Sequence, residues 1–216
     1  VFNQEVFMPP LLLERNVYPD DLFTEKPVGQ DAGRSWWVIH TKPRQEKSLT
    51  RELIPARVPF YLPLVSRRSV VRGRVLEAFI PLFTSYLFLY GDHDDRIKAL
   101  TTKRAVRSLE VADQGKMWHD LSQIHRLIAA GAPVTLEDRL EPGDPVRIVS
   151  GSLAGLEGKV IRRAAERRFL VQVDFIQQGA SVLLEDFHLV AIEGVAEGSG
   201  EWDGTGSSRR EFQPSS

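Results

Sequence analysis

Three glycines, Gly151, Gly155 and Gly158, crowd into GDPVRIVSGSLAGLEGKV (143–160) between two short β-branched runs. Glycines so placed serve one of two ends: backbone amides wrapped round a phosphate, or a chain that reverses sharply between strands. A phosphate loop needs Gly, four residues, then Gly-Lys-Ser/Thr, so that amides hold the phosphates and the hydroxyl holds the metal. Here Gly158-Lys159 is followed by Val160, and the position five before Gly158 is Leu153. Both requirements fail. The dinucleotide pattern fails too, because the residues after Gly158 alternate as a strand where a helix is required. The glycines therefore read as a turn joining VRIV to KVIR.

No other residues assemble into a catalytic pattern. The five histidines, His40, His93, His119, His125 and His188, show neither HExxH nor paired i,i+4 spacing. There is no nucleophile elbow. Cysteine is absent, which removes disulfides and thiolate metal sites and points to a reducing compartment. The expectation is a protein that is not an enzyme and holds no cofactor and no metal.

The 216 residues, 42% hydrophobic, suffice for one or two domains with real cores. No run of about eighteen apolar residues occurs, so no membrane span is expected. The amino-terminal stretch VFNQEVFMPPLLLERN lacks the basic start and longer apolar run of a signal peptide. A cytoplasmic protein, monomeric and without membrane contact, is expected.

Charge is uneven. The net value is −1, yet residues 35–112 carry 14 Lys and Arg against 7 Asp and Glu, and every flanking block is slightly acidic. A positive field concentrated on one domain suits a polyanion.

Elements must then position these groups. Residues 1–34 show no period and read as a tail or loosely docked arm, expected to be disordered, and the Gly/Ser-rich 193–216 as a disordered tail. WWVIHT (36–41) alternates as a strand; Pro43 opens a helix with Leu49, Leu53 and Ile54 on one face and Arg44, Lys47 and Arg51 on another, ended by Pro55. Strands are expected over 58–62, 64–71 and 75–80, with Arg72-Gly73-Arg74 as a hairpin tip. An aromatic-rich stretch (81–90), a helix begun by Asp92, Asp94 and Asp95, a strand over 104–111 and a helix carrying Trp118, Leu121, Ile124, Leu127 and Ile128 complete an antiparallel α/β sandwich over 35–131. A linker (132–139) precedes VRIV, GKVIR, FLVQVDF, SVLLE and HLVAI, whose close spacing within 140–192 is that of a small β-barrel. The run RRAAERR between the second and third strands also suits a helix.

PGDPVRIVSGSLAGLEGKV resembles the KOW motif, a strand–loop–strand element that opens an SH3-like barrel. WWVIHTKPRQEKSL (36–49), VRGR (71–74) and PLFTSYLF (81–88) resemble the amino-terminal (NGN) domain of the NusG family of transcription elongation factors, closest in style to the specialised RfaH-like paralogues. Thr84-Ser85 stands where the family usually has Pro and a small residue, and DRIK (95–98) where RfaH has a Thr-rich run. The fold class so implied is α+β: an NGN-like antiparallel α/β sandwich followed by a KOW barrel.

That resemblance implies binding. NGN domains grip the clamp helices of the RNA polymerase β′ subunit through an apolar hollow, for which His40, Tyr86 and Phe88 are the candidates; alternation puts Tyr86 and Phe88 on one face and Leu87 and Leu89 on the other. Lys42, Arg44, Arg72, Arg74, Lys103 and Arg104 are candidates for the exposed non-template DNA strand, with Arg67, Arg68 and Arg107 as solvated charge. KOW barrels of the family recruit a small-subunit ribosomal protein or Rho, and Leu153, Phe175 and Ile176 are the candidate contacts, although all three, Phe175 foremost, also suit the barrel core. The competing class is a KOW-type RNA-binding or ribosome-associated module.

Overall fold

The computed structural model describes residues 14–24, 33–71, 74–131, 133–137, 144–163, 166–183 and 189–191. In chain order the front unit holds β1 (Val17–Tyr18), β2 (Ser35–Thr41), α1 (Glu46–Leu53), β3 (Phe60–Tyr61), β4 (Leu64–Val71), β5 (Arg74–Pro81), β6 (Tyr86–Gly91), α2 (His93–Thr101), β7 (Ala105–Glu110) and α3 (Gln114–Ala129). Strands β1, β3, β6, β2 and β7 form an antiparallel sheet in that order, while β4 and β5 pair with each other as a separate hairpin. The fold is mixed α/β.

Alternation along β2 and β6 sorts the core into two layers. Ile39, Leu87 and Leu89 pack beneath Leu49 and Leu53 of α1 and Ala99 of α2. On the opposite face Trp36, Val38, Phe88 and Tyr90 pack beneath Met117, Leu121, Ile124 and Leu127 of α3. Each fully buried side chain of this size contributes about 1.5–3 kcal/mol.

Helix ends follow local chemistry. The Asp92 carboxylate accepts the Asp95 N–H at 2.9 Å, which caps α2 and holds the Asp92 carboxyl below its ordinary range. Asp113 caps α3 by accepting the Lys116 N–H at 2.8 Å. Gly131, at φ +73°, ends α3 in the left-handed conformation that glycine tolerates. The α1 boundary differs from expectation: the helix begins at Glu46 rather than Pro43, because Arg44 sits at φ +61°, outside helical backbone.

Residues 14–24 are ordered against the front unit, as a docked arm and not a disordered one. Within it, β1 pairs with β3 (Val17↔Tyr61, Tyr18↔Phe60), and Phe23 packs into the core. Scattered apolar residues without a period hid this, since the pairing is only two residues long.

The second unit comprises β8 (Thr135–Glu137), β9 (Asp144–Ile148), β10 (Glu157–Arg163), β11 (Glu166–Val173), β12 (Gln178–Leu183) and β13 (Leu189–Ala191), an antiparallel sheet of order β13-β9-β10-β11-β12-β8. All five expected strands are present. The sixth, β8, comes from the expected linker and pairs with β12 (Leu136↔Ala180). The described residues of RRAAERR end β10 and begin β11 rather than lying in a helix, with Arg163 opposite Glu166.

Two of the three glycines act as turn residues, whereas Gly158 lies within β10. Gly151 and Gly155 lie at φ +84° and +81° between β9 and β10. Gly158 answers a different need: a Cβ there would run into the Leu170 carbonyl oxygen and lie 2.8 Å from Phe169 Cζ. Among the described residues no helix is long and apolar enough to cross a membrane. The expected tail over 193–216 lies outside the described residues.

Candidate nucleic-acid and partner-binding surface

Three loops meet at one end of the front sheet. Thr41 N–H donates to the Ser85 carbonyl at 2.9 Å, and Lys42 N–H to the Arg104 carbonyl at 2.8 Å. Glu46, almost wholly buried, accepts the Ser85 N–H at 2.7 Å and so fastens the 82–85 turn to the start of α1. Arg44, Ser85 and Lys103 hold φ of +61°, +65° and +60°, one left-handed residue per loop, which lets each chain reverse within a few residues.

These reversals bring Lys42, Arg44 and Lys103 out to solvent as neighbours. Among the described residues none of the three is ion-paired. Arg104, the fourth candidate for the DNA strand at this end, differs in being ion-paired. Its guanidinium pairs with Glu52 and donates to Gln45 Oε1 at 2.5 Å, tying α1 to the α2–β7 turn. A sequence shows the charge of Arg104 but not the carboxylate on the adjoining helix that consumes it.

Beside the cations stand His40 and Tyr86, directly opposed across β2 and β6, with ring centroids 5.6 Å apart edge to face. Both are half-buried. Arg107 lies opposite His40 on β7 and is exposed, as expected of a solvated charge.

Phe88 departs from its expected role. It is fully buried, 6.0 Å from Phe83 and 6.5 Å from Tyr61, on the face that α3 covers. Its side was read correctly; the cover over it was not, because α3 lies far along the chain. An open, largely apolar cleft of about 560 Å³ occurs instead at the hairpin root, lined by Leu64, Val65 and Phe79 and by Ile128, Pro133 and Val134, with Arg68 and Glu77 also on its wall. Val70, Val75 and Phe79, at 73%, 68% and 38% exposure, continue an apolar surface along the hairpin. The signal available in the sequence was the pair of β-branched residues flanking the hairpin tip.

The remaining hairpin cations separate. Arg67 is exposed, and Arg68 lies 3.6 Å from Glu77. Arg74 opens β5 opposite Val71. Arg72 lies outside the described residues.

In the second unit Leu153 is core, 1% exposed, so it presents nothing to a partner. Phe175 has the opposite fate and is 40% exposed, contrary to a core reading, with Ile176 half-buried beside it. This unit rests on α3. Arg126 donates to the Ala154 carbonyl at 2.7 Å, Lys116 Nζ lies 2.9 Å from Asp174, and the Asp174 N–H donates to Asp120 at 3.3 Å. Burial pushes the Asp120 carboxyl up to about 6, against the pull of Lys116. Among the described residues no group of His, Asp and Glu side chains is arranged to hold a metal.

Residues 34–139 match the family model described as transcription termination factor NusG. No curated protein matches the chain. Among solved structures the chain is similar to one described as domain interaction in Thermotoga maritima NusG, at 17% identity over 70% of this chain and 93% of that one, with a TM-score of 0.40. It is also similar to the MjSpt4:Spt5 complex in conformation A, at 14% identity over 72% of this chain and 98% of that one, with a TM-score of 0.25.

Proposed function

We propose, on the premise that residues 34–139 belong to the NusG family, that the protein is a specialised, RfaH-like elongation or antitermination factor that works by binding rather than by catalysis. Its front unit grips the clamp helices of RNA polymerase β′ and holds the non-template DNA strand. The observation that carries this reading is the meeting of Lys42, Arg44 and Lys103 with the His40–Tyr86 pair at one end of the sheet. Unpaired cations next to an aromatic pair suit a single strand, whose phosphates and base faces call for both.

The polymerase contact then falls to His40, Tyr86 and the apolar cleft beside Phe79, with Phe88 supporting the sheet from within. By the resemblance of VRGR, Arg72 and Arg74 are assigned to the same DNA contact. The second unit is a KOW domain closed as an SH3-like barrel, and Phe175 with Ile176 recruits a small-subunit ribosomal protein or Rho.

A pull-down with the full chain tests this. Core polymerase should be retained, and Tyr86→Ala with Phe79→Ala should cut retention by about tenfold, the loss expected when about 1.4 kcal/mol of contact is removed. Retention of ribosomal RNA with no polymerase would replace this reading with that of a KOW-type RNA-binding module.

A further inference from the structure

The family match begins at residue 34, and residues 14–24 precede it. They wrap the edge of the front sheet from one face to the other. Glu14 pairs with Arg51 on α1, and the Asn16 carbonyl accepts the Leu62 N–H at 2.6 Å. Next, β1 covers the edge of β3 and sets the Tyr18 ring 6.1 Å from Phe60. Phe23 then lands on the α3 face in an aromatic socket. It lies nearly parallel to Trp36 at 6.0 Å, stacks on His125 at 5.0 Å, and meets Tyr61 edge-on at 4.9 Å.

His125 closes this socket from α3, and its ring also meets Tyr61 edge-on at 5.6 Å. The titratable neighbours can be named by element. His119 and Arg126 of α3 and Glu157 of the second unit line the groove that Phe23 and His125 share. From β3 comes the Tyr61 hydroxyl, buried without a hydrogen-bond partner, its pKa raised by that burial. On the arm, Asp20 pairs with Arg15, and Asp21 is exposed. Among the described residues no carboxylate is ion-paired with His125. An imidazolium there gains attraction to the Phe23 ring but gives up hydration, and the buried cation is disfavoured when no anion compensates it.

We propose that residues 14–24 form a strap latched by neutral His125: the uncharged imidazole stacks on Phe23 and holds the strap shut, whereas the imidazolium turns toward water, frees Phe23 and uncovers the β3 edge. Burial lowers the His125 pKa below its ordinary value, in agreement with this direction. The latch is therefore complete above the ordinary imidazole pKa of about 6.5 and is lost as pH falls through the depressed value. An unlatched strap leaves an unpaired strand edge beside an aromatic socket, a surface suited to an extended segment bearing an aromatic side chain.

Amide hydrogen exchange on the full chain, corrected for intrinsic rate, tests the latch from about pH 7.5 to about pH 5. The Leu62 amide reports strap closure, and the Val38 and Phe88 amides report the sheet centre. Relative to those controls, Leu62 protection should fall by up to about tenfold per pH unit from about pH 6.5 down to the depressed pKa and level off below it. His125→Phe should keep Leu62 protected throughout, and Phe23→Ala should expose it even at neutral pH. The latch is overturned if Leu62 in the unmodified chain tracks Val38 and Phe88 across this range, or if His125→Phe retains the same pH dependence.

Discussion

The backbone N–H of Lys42 donates to the carbonyl of Arg104 at 2.8 Å, although 62 positions separate the two residues in sequence. This bond makes neighbours of the β2 exit and the α2–β7 turn. It also assigns different work to similar residues. Lys42 turns its ammonium outward, while Arg104 turns its guanidinium inward to Glu52 and Gln45.

If the proposed DNA contact holds, that division predicts which cations set its affinity. Lys42→Glu with Lys103→Glu should weaken binding to a transcription bubble and lower the slope of log K against log salt by about 1.4, roughly 0.7 for each lost single-strand phosphate contact. Arg104→Ala should leave the slope unchanged and cost about 0.5–1 kcal/mol of stability, since its ion pair is partly exposed. Fluorescence anisotropy over a salt series, with urea unfolding in parallel, measures both. A slope that does not move in the double variant removes those two residues from the site.

Two aromatics two positions apart should respond very differently to truncation. Phe88 is fully buried between Phe83 and Tyr61, so Phe88→Ala should cost about 3–5 kcal/mol. Tyr86 is half-buried against His40, and Tyr86→Ala should cost about 1–2 kcal/mol, leaving a folded protein in which binding can be assayed. Equal losses in urea unfolding would contradict the burial described.

Much of this arrangement was legible in the chain, because periodicity reports which face a side chain takes. WWVIHT and YLFLY alternate, so the pairing of Leu87 with Leu89 and of Tyr86 with Phe88 followed directly. Periodicity does not report what covers a face. Phe88 is sealed by α3, more than twenty residues downstream, and Leu153 by strands on either side of its own turn. The ion pair of Arg104 was hidden for the same reason, since Glu52 reaches it only in the folded state. The strap escaped notice because a two-residue strand leaves no period to detect, and its anchors, Arg51 and Trp36, lie in other elements.

Gly158 yields a prediction independent of function. Its backbone is ordinary strand, but a methyl group would strike the Leu170 carbonyl and the Phe169 ring across the β10–β11 pair. The carbonyl belongs to the sheet ladder and has little room to retreat. Gly158→Ala should therefore destabilise the second unit by about 1–3 kcal/mol, while the same change at Gly115, whose nearest contact is Asp113 Oδ1 at 3.7 Å, should not destabilise the fold. Circular dichroism melts of the two variants test the contrast, and a Gly158→Ala protein as stable as the unmodified chain would refute it.

Asp120 should make the contact between α3 and the second unit sensitive to pH. Burial raises its carboxyl to about 6, although Lys116 and the Asp174 N–H both favour the ionised form. The native value thus lies above that of an unfolded aspartate, so the folded protein holds the proton more tightly. The stability this supplies is complete below the unfolded pKa, near 4, and is lost as pH rises through about 6. Asp120→Asn cannot titrate, so the difference in Tm between it and the unmodified chain isolates this group. That difference should shift against the aspartate by a few degrees between about pH 4 and about pH 6.5 and stay flat above. A difference independent of pH across this range would mean that Asp120 ionises in the folded protein as readily as in water, and that the second unit does not bury it.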